Sequence, residues 1–180
     1  MTPTQILVEE HKVILRVMDS IAKEADKLDK EGMADFDKIA KFVDFTRNFT
    51  DGIHHAKEEK RLFVKMAERG MSMEAGPIGV MMEEHNAGRQ CIRNIADNID
   101  AASGGDANAS KKIVSSLRDF IYLLKNHIAK EDQILYPMAD NMLSQADQKE
   151  LEEAFEHVRT VEIGEAVHAK YYKLAEELTA

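Results

Sequence analysis

A chain of 180 residues, 44% hydrophobic and 32% charged, has the balance of one globular domain and is long enough to bury a core without staples. Its 24 basic and 33 acidic side chains leave a formal charge of -9 with no Lys/Arg cluster, which argues against nucleic acid or an anionic membrane as a partner. Cys91 is the only cysteine, so a disulfide, a Cys-x-x-Cys redox pair and a thiolate metal site are all excluded.

Apolar residues recur every three or four positions over long stretches, the helical period, and predict an all-α protein. The first helix opens at Thr2-Pro3-Thr4-Gln5, where Thr2 caps, Pro3 suits the first helical position and Gln5 completes a capping box. It runs to about Asp29, ahead of Gly32. A second helix runs from about Asp35 to Arg69 and stops at Gly70. A third spans about Gly76 to Ala102 and ends at a Ser-Gly-Gly-Asp turn. The fourth covers about Ala107 to Met142, with Pro137 placed to kink or end it. A fifth, from Ser144 to Leu178, opens on Ser-x-x-Asp and carries Gly164 as a weak point in its middle. Short connections between long helices predict an antiparallel up-down four-helix bundle over residues 1–142. The additional C-terminal helix, 144–178, lies against it, within a single domain 1–180.

The core-facing seam of each helix is apolar with a few pointed exceptions. On the first helix it reads Leu7, His11, Ile14, Met18, Ile21, Ala25, Leu28, and on the third Ile78, Met81, His85, Gly88, Ile92, Ile95, Ile99. The fourth reads Ile113, Leu117, Phe120, Leu124, His127, Glu131, Ile134, Met138, so a histidine and a carboxylate one turn apart face the core together. The second helix is less tidy. Phe42, Phe45, Phe49 and Gly52 form one stripe, and Thr50, His54, Glu58 and Leu62 a neighbouring row.

The chain repeats itself. "HHAKEEKRLF" at residues 54–63 returns as "HIAKEDQILY" at 127–136, and "EEH" ends at both His11 and His85. Each of those histidines precedes its His-x-Ala-Lys-Glu element by 43 or 42 residues, so the chain reads as two helical hairpins with the same polar equipment. A lone His-x-x-x-Glu is ordinarily a surface pair worth roughly 0.2–0.5 kcal/mol. Four histidines and two glutamates converging on one core would instead cost roughly several kcal/mol each if left unpaired, a cost that metal binding removes. Imidazole and carboxylate without thiolate suit iron, manganese or zinc. Two carboxylates able to bridge favour a redox-active di-iron pair over structural zinc, which wants a closed tetrahedral set.

The order His, His-x-x-x-Glu, His, His-x-x-x-Glu, one element per helix over about residues 4–142, resembles the hemerythrin-like family of His-His-Glu cation-binding bundles. That resemblance carries the metal ligands to His11, His54, Glu58, His85, His127 and Glu131. It implies two iron ions, one held by His11 with His54 and the other by His85 with His127. Glu58 and Glu131 would bridge them, with an oxo or hydroxo bridge as an option. Two departures stand out. Oxygen carriers of the family place a further histidine one turn after the third-helix ligand, where this chain has Arg89. The last carboxylate also follows its histidine by four residues rather than five. Both shift the expectation from reversible oxygen carriage to reaction with the oxidant. The segments "GMSMEAGPIGVMMEEHNAGR", "HHAKEEKRLF" and "NHIAKEDQILYP" are similar to the di-iron domain of proteins that repair iron-sulfur clusters damaged by nitric oxide or peroxide.

The expected activity is therefore the binding of, and reaction with, small oxidants (dioxygen, nitric oxide or peroxide), in stress defence or iron-centre repair, with an electron-donor protein as a partner. Three rivals stand beside it: an oxygen sensor or store without turnover, iron storage or donation, and a bundle holding zinc or no metal. Storage bundles use Glu-x-x-His, against the His-to-Glu spacing of four here. His55 follows His54 by about 100 degrees of α-helix and is expected to point away from the ligands. Glu84, Tyr122, Glu162 and His168 are candidates to approach the centre, with surface or core-edge positions the stronger expectation. The ten methionines and Cys91 read as core filling. The N-terminus lacks a secretory pattern and no apolar run reaches membrane-spanning length, so the expected location is cytoplasmic.

Overall fold

Local signals set the first helix as the sequence predicts. In the computed structural model, which describes all 180 residues, Thr2 accepts the backbone N–H of Gln5 while the Gln5 side chain accepts that of Thr2. Helix α1 then runs Pro3–Glu31 and closes at Gly32, whose N–H bonds back to Leu28. The chain continues as α2 (Phe36–Phe45), α3 (Phe63–Glu68), α4 (Gly76–Ala96), α5 (Ile99–Ser103), α6 (Ala107–Lys130), α7 (Tyr136–Met142), α8 (Gln145–His157) and α9 (Glu165–Thr179), with no strand.

The predicted second and fourth helices are continuous in extent but not uniform in winding. Between α2 and α3 the backbone forms π-helical turns over Thr46–His55 and Glu58–Leu62, and between α6 and α7 over Glu131–Leu135. There the N–H bonds reach five residues back, as from Ala56 to Asp51, Phe63 to Glu58 and Tyr136 to Glu131. Such turns hold an extra residue, so successive side chains fan out by a smaller angle than in an α-helix. Pro137 does not end the fourth helix. It sits in the first turn of α7, just past the widened turn, where its missing N–H and its ring are accommodated.

Two other predicted helices are interrupted. The third breaks at Asp97–Asn98, between α4 and α5. The fifth is two rods: α8, lengthened by a π turn over Val158–Glu162, and α9, separated at Gly164. Gly164 has φ 86 and ψ 140, a conformation closed to other residues, so it redirects the chain where the sequence suggested only a weak spot. The turn lets α8 lie on α1 beside residues 58–62, while α9 packs on α1 and α2. Ser20 Oγ donates to the carbonyl of Leu178 at 2.5 Å, fastening the end of α9 to α1.

Apolar packing divides into two clusters. The larger joins α1, α2, α4, α6 and α9 through Ile14, Met18, Ile21, Phe42, Phe45, Phe49, Leu117 and Leu174. The smaller joins the start of α1 and of α4 to α3, α7 and α8 through Leu7, Leu62, Phe63, Met81, Tyr136 and Phe155. Between them runs a polar layer. His11 lies between Leu7 and Ile14, His85 between Met81 and Ile92, and His127 and Glu131 between Leu124 and Leu135. Each large side chain buried on either side contributes roughly 1.5–3 kcal/mol, which holds the polar layer in register from above and below. No helix is long and apolar enough to cross a membrane.

Candidate metal centre

All six ligands expected from the sequence lie in this layer at 2% exposure or less. Their donor atoms fall into two groups: His11, His54, Glu58 and Glu131 in one, and His85 and His127, joined by His55, in the other. Within each group every donor lies within 4.8 Å of the rest. The carboxylates reach both groups. Glu131 places Oε2 3.2 Å from His11 Nε2 and Oε1 3.2 Å from His127 Nε2. Glu58 Oε2 lies 3.8 Å from His54 Nε2 and 3.5 Å from His85 Nε2. Both glutamates open a π-helical turn, a distortion that concentrates at functional sites.

Four more carboxylates hold the rings from behind, and they explain the rest of the repeated motif. Glu10, next to His11, accepts from His54 Nδ1 at 3.0 Å, and Glu84, next to His85, accepts from His127 Nδ1 at 2.9 Å. Glu59, next to Glu58, accepts from His85 Nδ1 at 2.7 Å, and Asp132, next to Glu131, accepts from His11 Nδ1 at 2.8 Å. The lysines of the repeat complete the relay, Lys57 pairing with Glu10 and Lys130 with Glu84. With every Nδ1–H committed to a carboxylate, the tautomer is fixed and each Nε2 lone pair points inward, the arrangement found behind metal-bound histidine.

What remains unpaired faces the same space. Glu58 Oε2 and both oxygens of Glu131 are buried without a hydrogen-bond donor. His85 Nε2 and His127 Nε2 lie 3.0 Å apart. That is about the separation of two nitrogens bound at right angles on one ion at roughly 2.1 Å. Burying unpaired carboxylates costs several kcal/mol by order of magnitude, and a divalent cation among these donors removes the cost. The residues fit a metal.

In the metal-free chain the cluster compensates with protons. Burial opposes a charge on His11, but Asp132 and Glu131 outweigh it and raise the pKa to about 9. His127 is also raised, against its burial, by Glu131. Burial and the neighbouring His11 charge lower His54 to about 4, and burial likewise lowers His85. Glu58 is pushed well up by burial and by Glu131, whereas Glu131, despite its own burial, is held down by His127 and His11. The two carboxylates are thus pushed in opposite directions, Glu58 toward holding a proton and Glu131 toward losing one.

Two residues belong to this layer that sequence reasoning left out. His55 does not point away. It is 6% exposed, its ring stacks on that of His85 with centroids 3.7 Å apart, and its Nε2 is buried without a partner. The widened winding over residues 46–55 accounts for the difference, because it turns His54 and His55 inward together. The repeat held a signal, since the matching residue, Ile128, is a core position. Tyr136 donates its hydroxyl to Glu58 Oε1 at 2.6 Å, and its ring stacks on His11. Its counterpart in the first hairpin is Phe63, stacked on His85, so the two repeats differ here by one hydroxyl.

Of the weaker candidates, Glu84 approaches the centre as the partner of His127. Tyr122 is 76% exposed, Glu162 pairs with Arg61 at 2.5 Å at the surface, and His168 packs on Tyr172. Arg89 binds Asp51 at 2.6 Å and Glu59 at 2.7 Å, which places it behind His55 and His85. A cavity of about 170 Å³ opens onto this side of the centre, lined by Thr50, His55, His85, Gly88, Phe120 and His127. Gly88 lines it beside Phe120, and a Cβ there would stand 3.4 Å from the Phe120 ring, at ordinary contact distance. The other side is sealed: Lys57 is 2% exposed and lies under Phe155 of α8.

Comparison with known proteins agrees with this geometry. The family model described as Hemerythrin HHE cation binding domain matches residues 2–139. The chain is 22% identical over 165 residues to the uncharacterized proteins Rv1995 of Mycobacterium tuberculosis and Mb2018 of Mycobacterium bovis. That match covers 92% of this chain and 64% of each relative, so the chain spans just under two thirds of their length. It is 37% identical over 90 residues to the iron-sulfur cluster repair protein YtfE of Yersinia pestis, covering 48% of this chain and 40% of that one. No solved structure matches.

Proposed function

Since the chain belongs to the hemerythrin HHE cation-binding family, we propose that it is a non-haem di-iron protein that binds and reacts with small oxidants. In this reading His11 and His54 would hold one iron and His85 and His127 the other, with Glu58 and Glu131 shared between them, in an antiparallel up-down bundle. One observation carries it: four Nε2 atoms, each fixed by a carboxylate behind its ring, surround two buried glutamates whose inner oxygens lack donors. Iron bound there would supply one-electron exchange with dioxygen, nitric oxide or peroxide. The protein's own residues orient the imidazoles, exclude bulk water by burial, and keep the Tyr136 O–H on Glu58.

The likeness to an iron-sulfur cluster repair protein supports a role in iron-centre repair; stress defence, an electron-donor protein as a partner and a cytoplasmic location belong to the same proposal. The half-open cavity favours a small diffusible ligand. The test is the optical spectrum of anaerobically reduced, iron-loaded protein mixed rapidly with oxygen. Prompt, irreversible conversion to an oxo-bridged ferric spectrum is the expected result. A band that persists and vanishes on degassing would make the protein an oxygen binder, and a protein that takes up no iron would overturn the reading. Replacing His127 or Glu58 with alanine is expected to remove most of the bound iron, measured as iron per protein after desalting.

A further inference from the structure

His55 has the equipment of the four histidines assigned as ligands and no task among them. Each of those rings donates Nδ1–H to a carboxylate and turns Nε2 inward, and His55 does the same, with Asp51 as its acceptor at 3.3 Å. Asp51 is itself held by Arg89, whose Nη2 lies 2.6 Å away and whose guanidinium also binds the Glu59 that supports His85. Nε2 of His55 is buried and unpartnered, and a ring nitrogen of His55 lies within 4.8 Å of the donor atoms of both His85 and His127. A metal-nitrogen distance of about 2.0–2.1 Å allows two ligands on one ion to stand up to about 4.2 Å apart, and sharing an ion would turn the His55 ring off its 3.7 Å stack on His85 so that the in-plane lone pairs converge. Leaving the buried Nε2 of this imidazole without a partner is unfavourable, and nothing around it supplies one.

We propose that His55 is a metal ligand, giving the His85–His127 side three imidazoles while the His11–His54 side keeps two. The inference rests on the di-iron reading and makes the two metal positions unequal. Arg89 stands where the family's oxygen carriers have their further histidine, and the fifth imidazole comes instead from the second helix, secured by that same arginine through Asp51. With two bridging glutamates, the three-histidine side becomes the more filled position. The His11–His54 side would then carry fewer imidazoles, although it lies on the sealed side of the centre, away from the cavity, with the Tyr136 hydroxyl 3.4 Å from His11 Nε2.

The test loads the protein anaerobically with Co(II) and counts metal by titration and ring N–H signals by proton NMR. Each coordinated imidazole with its Nδ1–H on a carboxylate gives one solvent-exchangeable signal shifted far outside the normal range. Two equivalents of Co(II) and five such signals are expected, with one signal lost in His55→Gln. That variant should bind its second Co(II) on the order of 100-fold more weakly, and Asp51→Asn roughly 10–100-fold more weakly. Two equivalents with four signals would overturn the assignment of His55 and leave the two-metal reading standing. Uptake of fewer than two equivalents by the unmutated protein would overturn both. The signal count in the unmutated protein decides the question even if His55→Gln fails to fold.

Discussion

Removing the metal should make the protein lose stability as the pH rises above neutrality. His11 carries the effect. In the metal-free chain its pKa stands at about 9 because Asp132 and Glu131 outweigh the penalty of burial. A histidine in the unfolded chain titrates near about 6.5. Between these two values the folded state keeps a proton that the unfolded state has released, so this contribution is full below about pH 6.5 and is lost as the pH rises through about 9. At about 1.36 kcal/mol per tenfold change in proton affinity, the gap corresponds to on the order of 3 kcal/mol. That is a large part of the roughly 5–15 kcal/mol that holds a typical domain together. His127 and Glu58 are shifted in the same direction and add slope of the same sign. The lowered His54, His55 and His85 add slope of the opposite sign, which ends once the unfolded histidines have lost their protons, so the decline is read above about pH 7.5. The assay is urea unfolding of metal-free and iron-loaded protein, followed by far-UV circular dichroism from about pH 7.5 to 9.5. The metal-free midpoint should fall across this range, while the loaded protein should stay nearly level because the ion replaces the proton on His11. A level metal-free profile would refute the electrostatic description of the cluster, and an equal decline in both forms would refute a metal at His11.

Three substitutions test other parts of the design. Tyr136→Phe keeps the ring and leaves Glu58 Oε1 without its donor; the metal-free protein should lose about 1–3 kcal/mol, lowering Tm by roughly 2–10 °C in a thermal scan. Lys57→Met strands Glu10 at 2% exposure and should cost about 3–5 kcal/mol in urea unfolding. The repeat-equivalent Lys130→Met, at a lysine 37% exposed, should cost at most about 1 kcal/mol, and equal losses would contradict the burial difference. Gly164→Ala forces a side chain into the φ 86, ψ 140 conformation and should destabilise the junction of α8 and α9 by about 1–3 kcal/mol, read as faster amide exchange there.

The sequence made the ligand layer legible because helical period places His11, His85 and His127 on seams that are otherwise apolar. A buried polar residue in such a seam demands a partner. What it could not show is winding. The rule that set His55 aside assumes α-helical turns, and the π-helical stretch over Thr46–His55 breaks it. The two competing stripes on the second helix were the visible trace of that change of pitch. Glu10, Glu59 and Asp132 stood in the repeat as ordinary helix-surface acids, and Glu84 as a candidate for which a surface position was the stronger expectation. Their service to histidines on neighbouring helices is a matter of packing, which no one-dimensional pattern displays. Gly164 was legible as a weak point, but whether a glycine bends or breaks a helix depends on what the following segment can bury, here the face of α9 against α1 and α2.

The repeat also argues about function through its imperfections. Two hairpins related by an internal pseudo-twofold axis would, if identical, build two equal half-sites. The chain keeps His, Lys and Glu equal in both copies and changes the residues around them: His55 against Ile128, Phe63 against Tyr136, and a buried Lys57 against a half-exposed Lys130. The C-terminal rods add to the inequality, since Phe155 covers the Lys57 side and nothing equivalent covers Lys130. A structural site has no use for such differences, because closure is all it requires. A site that must admit a small ligand at one position and tune the other gains from them. On this argument the function lies in the departures from symmetry, and exchanging the hydroxyl between repeats, with Tyr136→Phe and Phe63→Tyr together, should change how the loaded protein reacts with oxygen while leaving its iron content the same. If both stay the same, the inequality of the halves has no bearing on the chemistry.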